Sequence, residues 1–368
     1  MSASTVGYFY GMDGHNLARA YRDHLSDFPT WEQKDHAKEW VLLAENMGVH
    51  LSIDETSIGG YVYTILSRKD TKGKKKVIAI IRGVKSSVVS KKLLEIPEEL
   101  RKKVIDASMD FSDSMKLIVK TVFPQAVISL DRFHVIQDLI NHMMETYTDV
   151  RKRLEVEEKH ERAAYYKKVD ACVKNRKRYR KNNPKNYKGK KRGRKPKYRK
   201  SDFKPSRMEN GESRRDFLRR CFKTLKQNPD KWSDEQQKRM QILFKAYPEI
   251  KEAYDLKEEF RTLYWSKKTN PEYKDKEIPV EERSALKEKV REKLHTWYDN
   301  VNASKCPGMK SFKRTIKERE EDLLNYYTTF VTNAHSESLN SGIKALRTEV
   351  KGVSDLPFFF FRVCKIYG

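Results

Sequence analysis

Cysteine is scarce. The 368 residues hold four, Cys172, Cys221, Cys306 and Cys364, with no C-x-x-C pairing. That argues against a zinc ribbon or a disulfide framework and fits a reducing compartment. Long apolar runs are also missing: no stretch approaches the roughly 20 apolar residues of a membrane span. The opening MSASTVGYFYGMDGHN lacks the apolar h-region of a signal peptide. These absences predict a soluble cytoplasmic protein. No internal repeat is visible. Acids are in the minority, 52 against 78 Lys+Arg, for a formal net charge of +26. Such an excess points to a polyanionic partner, and nucleic acid is the usual one. Hydrophobic residues still make up 38% of the chain, so a real core is expected, with room for roughly two or three domains.

Acid is absent altogether from KNRKRYRKNNPKNYKGKKRGRKPKYRK (174–200), which holds 16 Lys/Arg and leaves +10 for the rest of the chain. Like charges at that density cannot collapse alone, so the segment reads as an arm, disordered or ordered only by DNA. Around it the texture is ordinary. GHNLARAYRDHLSDF and WEQKDHAKEWVLLAE show apolar residues at helical spacing, which predicts two short helices within 1–45. Three β-rich runs follow, VHLSIDETSI (49–58), GYVYTILSRK (60–69) and KVIAIIRGVK (76–85), the last two joined by the Gly-bearing DTKGKKK. They predict an antiparallel meander. A helix is expected over 86–94 and another at PEELRKK. Then come a strand in KVIDASMD (103–110), a helix in SDSMKLIVKTVF (112–123) with an N-cap serine, a strand in AVISLD (126–131), and a helix from RFHVIQ onward. This order predicts a mixed α/β sheet and not a doubly wound one. From about 145 to 325 the chain reads as amphipathic helices, after which the α/β texture resumes to the apolar closing helix SDLPFFFFRVCKIY. The predicted division is a helical segment at 1–48, a sheet domain at 49–144 completed by 329–368, and a helical insertion at 145–328.

Three acids stand out against this frame. Asp54 lies in the first strand, Asp110 ends the next central strand, and Glu337 is the lone acid of the helix NAHSESLNSGIKALR. Functional groups of α/β sheets cluster at strand ends and on the helices that face them. Converging carboxylates repel and are raised by burial unless cations neutralise them. Mg²⁺ takes such hard oxygen ligands, and two ions about 4 Å apart suit in-line phosphoryl displacement. Read alone, an aspartate at a strand end is more often a turn or cap residue and Glu337 a solvated helix position. Glu55 alternates to the opposite face of its strand. Asp106 points to the same side as Asp110 but deeper, and Asp113 is a further neighbouring acid.

SIDETS, SMDFSDSMKLIVKTVFPQAVISLDRFHVI and TNAHSESLNSGIKALR, with a helical block before the third, resemble the DDE transposases of bacterial insertion sequences. The closest likeness is to the ISL-type group, in the subfamily whose DDE protein is encoded apart from an N-terminal DNA-binding protein. The likeness covers most of the chain and is weakest in the basic arm. It implies a ribonuclease H-like domain interrupted by an all-α insertion, and a site that binds two Mg²⁺ (or Mn²⁺). Asp54, Asp110 and Glu337 would be the metal ligands and catalytic acids. Asp131, in DRFH with His134, is the alternative second acid or a supporting pair, and Asp110 is preferred because its strand end faces Asp54. The activity implied is cleavage of DNA at element ends and strand transfer into target DNA. A nuclease or resolvase that does not transfer strands, and a non-catalytic DNA-binding accessory protein, are the other readings.

Asn340, Ser341 and Lys344 share the face of Glu337 at i+3, i+4 and i+7. Asn340 would fix a carboxylate or touch DNA, and Lys344 and Arg347 would hold strand phosphates. In the arm, RGRKP (Arg192, Arg194, Lys195) resembles the core of an AT-hook, which enters the A·T minor groove; a generic phosphate-binding arm is the alternative. Trp265 is a candidate to stack on an unpaired base, as against a core role, which is expected for Trp232 and Trp297. The phenylalanine run at 358–361 reads as core or a subunit interface. Expected partners are terminal-repeat and target double-stranded DNA, a separately encoded DNA-binding protein and a second copy of the chain, in a nucleoid-associated setting.

Overall fold

The computed structural model describes residues 3–69, 76–184, 198–267, 270–274, 276–330, 334–349 and 353–368, with only the backbone described at 334–335. Two compact units emerge: 1–137 with 264–294 and 315–368, and 138–263 with 295–314. In chain order the helices are α1 (Ala3–Tyr10), α2 (Gly14–Ala20), α3 (Ser86–Leu93), α4 (Glu98–Arg101), α5 (Asp113–Val122), α6 (Arg132–Asn182), α7 (Arg214–Lys226), α8 (Asp234–Ala246), α9 (Pro248–Leu263), α10 (Val280–Ala303), α11 (Pro307–Glu318), α12 (Glu320–Leu324), α13 (Tyr326–Thr329), α14 (Ala334–Glu349) and α15 (Leu356–Tyr367). The strands are β1 (Trp40–Leu42), β2 (His50–Ile58), β3 (Tyr61–Arg68), β4 (Lys76–Arg82), β5 (Asp106–Met109) and β6 (Val127–Leu130).

The strands form one sheet in the order β1-β4-β3-β2-β5-β6. Pairing is antiparallel from β1 to β2 and parallel from β2 through β5 to β6. A meander leading into crossover strands, with a large helical portion, is a ribonuclease H-like α/β fold. Strand and helix positions follow local pattern closely. The β2–β4 runs are rich in β-branched and aromatic residues. Helix α5 starts where the Ser112 hydroxyl accepts the Met115 backbone N–H at 3.3 Å, and α8 starts on a reciprocal Ser233–Gln236 capping box.

Two expectations fail. The second N-terminal helix does not form: residues 32–39 are turns, and Trp40–Leu42 add β1 to the edge of β4. Trp40, Val41 and Leu42 suit a pleated surface, and Gln33 completes the exposed edge of the new strand. Its amide donates to Leu42 O and accepts from Leu42 N, both at 2.8 Å, which occupies groups an edge strand would otherwise leave open. The basic arm is not irregular throughout. Lys174–Asn182 are the last turns of α6, because adding residues to a formed helix is easy and Lys and Arg are good helix formers. The rest of that arm's distinctive sequence, 185–197, including Arg192, Arg194 and Lys195, lies outside the described residues, as does the turn at 70–75.

Helices α14 and α15 cover one face of the sheet. Leu339, Ile343 and Leu346 of α14 and Phe359, Phe360 and Val363 of α15 are buried with Ile58, Tyr63, Ile65 and Ile80. Phe360 meets Tyr63 edge-on at 5.0 Å. The phenylalanine run is therefore largely core. In the second unit Trp297 is fully buried against Phe260 at 5.0 Å and donates its Nε1–H to Leu256 O at 2.9 Å. Trp232 donates to Thr224 O at 3.1 Å. Trp297 takes the core role expected of it, whereas Trp232 is half-buried, with its ring against Tyr254 at 5.5 Å.

Candidate active site

A short pattern recurs on three strands: Ser52-Ile53-Asp54 in the middle of β2, Ser108-Met109-Asp110 at the end of β5 and Ser129-Leu130-Asp131 at the end of β6. Strand side chains alternate between faces, so each serine and aspartate share a side while the apolar residue between them turns to the other. Register then aligns the three copies. Ser52 pairs with Ser108 and Ser108 with Ser129, and Asp131 N donates to Met109 O at 2.7 Å. Continuing two residues along each strand sets Asp54, Asp110 and Asp131 side by side in one row. The serines beneath them are buried. This repeated Ser-apolar-Asp signal was available in the sequence but shows its meaning only once the register is known.

The row is electrostatically stressed. Asp54 is pushed up to about 6, first by burial and next by the Asp110 carboxylate, against a lowering by the Glu55 backbone N–H. That N–H donates to Asp54 Oδ1 at 2.7 Å. Glu55 itself is exposed on the opposite side, as alternation requires, and partial burial and Asp110 raise it above its ordinary value. His134 answers the charge of the other two acids. Its Nδ1 lies 2.7 Å from Asp110 Oδ1 and 2.8 Å from Asp131 Oδ2. Hydrogen bonds to Asp110 and then Asp131 raise the imidazole to about 10, so it is an imidazolium through the neutral range. Among the described residues, ligand atoms of Asp110, Asp131 and His134 lie within 4.8 Å of one another, a spacing that suits a metal ion.

The strain on Asp54 has a measurable sign. Between its ordinary 3.8 and about 6, the folded protein holds a proton that the unfolded chain has released, so metal-free stability falls as pH rises through that window. Asp54→Asn is expected to remove the fall. At about pH 8 the variant should be more stable by on the order of 1–3 kcal/mol, with no gain at about pH 4. Denaturant unfolding at both values checks this, and equal stability at the higher pH would contradict it.

Helix α14 meets the row from above. Asn340 donates from Nδ2 to Asp54 Oδ2, and Ser336 Oγ lies 3.2 Å from Ser67 Oγ on β3. Glu337, in the first turn of α14, is exposed and precedes Asn340 by three residues. It is not within the Asp110–Asp131–His134 group; it belongs to the helix that rests on Asp54. Lys344 is exposed further along, and Arg347 Nη1 donates to Ser57 O at 3.2 Å. Trp265 is half-buried. It stacks flat on Tyr273 at 4.8 Å, with Tyr327 edge-on at 5.2 Å.

The remaining acids have other partners. Asp106 is fully buried one row below the serines, with Lys69 Nζ 2.8 Å from Oδ1 and the His50 ring on Oδ2. Lys69 also reaches Ser108 Oγ at 3.1 Å. Nothing in the spacing of Lys69 or His50 marks them in advance; they meet Asp106 only through strand pairing. Asp113 is exposed at the start of α5 and pairs with Arg319 at 3.1 Å.

A mixed sheet whose neighbouring strands β2, β5 and β6 carry a row of aspartates, with a helix bearing a further acid resting on the first of them, defines the ribonuclease H-like class of proteins. The family model described as Transposase, that of the ISL3-type DDE transposases, matches residues 51–363. The chain belongs to this family and is a DNA transposase. No curated protein and no solved structure matches the chain. Among the described residues no helix is long and apolar enough to cross a membrane.

Proposed function

We propose that this chain cuts DNA at the ends of its element and joins the freed 3′ ends to target DNA by in-line phosphoryl displacement. The observation that carries the reading is the row Asp54–Asp110–Asp131 with α14 resting on its Asp54 end. The donors fit a divalent cation: they are hard oxygens, and Asp54 is raised first by burial and then by the Asp110 carboxylate, both of which a bound cation would offset. Asp54, Asp110 and Glu337 would hold Mg²⁺, or Mn²⁺ in its place. When bound, the metal supplies an activated nucleophile and charge neutralisation at the leaving oxygen.

The chain's own groups do the positioning. Asn340 and the Glu55 N–H orient the two oxygens of Asp54. His134 ties Asp110 to Asp131, which also accepts the Phe133 backbone N–H at 3.1 Å and so anchors the start of α6. In this reading Asp110 is the second acid, and Asp131 with His134 supports it. Lys344 and Arg347 line α14 beyond the acids, where strand phosphates would lie. The arm at 174–200 adds non-specific affinity and a steep dependence on salt. Trp265 would receive a base only in exchange for Tyr273. A second copy of the chain and a separate DNA-binding protein would complete the assembly.

Replacing the two aspartates in turn tests the assignment. Asp110→Asn is expected to lower strand cleavage by at least about 10³-fold, since several kcal/mol of transition-state stabilisation are at stake. Asp131→Asn should lower it by about 10–100-fold, the scale for a supporting partner. The reverse order would make Asp131 the second acid. Incubating pre-cut ends with Mg²⁺ and target DNA separates a transposase that joins strands from a nuclease that only cuts.

A further inference from the structure

Beside the acid row stands an aromatic ring with no core to fill. Phe133, second residue of α6, is 57% exposed, whereas Val135 and Leu139 on the buried side of the same helix are fully covered. A single exposed apolar side chain is ordinary on a protein surface. The position of this one is not. Its backbone N–H is bound to Asp131 Oδ1 at 3.1 Å, and its ring meets the His134 ring edge-on at 5.5 Å and 86°. The same imidazole is held between Asp110 and Asp131. The preceding residue is fixed as well: Arg132 donates from Nε and Nη2 to Tyr264 O at 3.1 and 2.9 Å. The ring is thus anchored by neighbours that touch the acids, while more than half of its surface faces water.

We infer that Phe133 is a stacking platform for one unpaired nucleobase of the DNA strand held at the acid row. Every base has a π-face, so a phenyl ring binds any of them through dispersion and desolvation without reading a hydrogen-bond pattern. A rigid ring with few rotamers loses little entropy when covered. The open ring distinguishes Phe133 from Trp265, one face of which already carries Tyr273. Stacking at Phe133 would draw a base out of the duplex next to the carboxylates and so present its phosphate to them. The inference rests on the reading of the acid row as the strand-cleavage site.

A double-mutant cycle between protein and DNA tests it by binding alone, with chelator present. The probe is a forked duplex in which each unpaired position in turn is replaced by an abasic sugar. At one position the wild type is expected to lose about tenfold in affinity. Phe133→Ala should lose the same factor on the intact fork and nothing further on that abasic fork, with affinity for fully paired duplex unchanged. Phe133→Trp should restore the fork preference and Phe133→Leu should not. The ring is exposed, so the variants should melt as the wild type does. Additive losses at every position, or a Phe133→Ala protein that binds the fork as well as the wild type, would overturn the inference. If that happens while Asp54→Asn still abolishes cleavage, only the stacking role falls. A wild type that binds neither fork nor duplex would remove the underlying reading as well.

Discussion

An Asp54→Asn or Glu337→Gln protein is expected to bind DNA as the wild type does and to cleave it at least about 10³-fold more slowly. The two changes act on different elements. Asp54 is fixed on β2, with one oxygen on the Glu55 N–H and the other on Asn340. Glu337 rides on α14, whose buried Leu339, Ile343 and Leu346 seat the helix on the sheet. Loss of either acid should therefore leave the fold intact. For Asp54→Asn the loss of activity should accompany a gain in metal-free stability at alkaline pH, the pattern of a site that trades stability for function. Gel-based cleavage and filter binding on the same preparations give the answer. A Glu337→Gln protein that cuts at the wild-type rate would remove the helix acid from the mechanism and leave the aspartate row as the whole site.

Lys69→Ala should have the largest effect on stability. The ammonium and the Asp106 carboxylate are both fully buried and 2.8 Å apart. Taking away one partner of such a pair leaves a charge without compensation, which costs about 3–5 kcal/mol. That is a large share of the roughly 5–15 kcal/mol that holds a domain together. His50, on the other carboxylate oxygen, moderates the loss. Replacing both partners, as in Lys69→Met with Asp106→Leu, should recover most of it, since apolar groups of similar volume often substitute for a buried pair at little cost. Chemical denaturation of the single and double variants makes the comparison. A single variant within about 1 kcal/mol of wild type would mean that the Asp106 site has hydrated. The result also bears on the site, because Lys69 holds Ser108, two residues below Asp110.

The strands and most helices were legible because their causes are local. Richness in β-branched and aromatic residues marks β2, β3 and β4, and serine caps mark the starts of α5 and α8. Where a local cause competed with a distant one, the reading failed. The segment before β1 has helical spacing, yet the open edge of β4 and the amide of Gln33 make a strand of Trp40–Leu42. The basic run after Lys174 has the composition of a free arm, yet its first part continues a helix begun 42 residues earlier at Arg132.

The candidate acids were visible as residue types: Asp54 within β2, Asp110 and Asp131 just past β5 and β6, and Glu337 in the first turn of α14. Their company was not. Asn340 meets Asp54 across 286 positions of chain, and Lys69 meets Asp106 across 37.

By itself the sequence determined the alternation and periodicity that build this sheet and its helices, and the charge excess that selects a polyanionic partner. These depend on neighbours a few residues apart. Only the tertiary structure decided that three Ser-apolar-Asp triplets stand in register, that an imidazole sits between two of the aspartates, and that a phenyl ring is left open beside them. Contacts of that kind are set by how strands pair and how helices seat on them, and chain spacing carries no record of either.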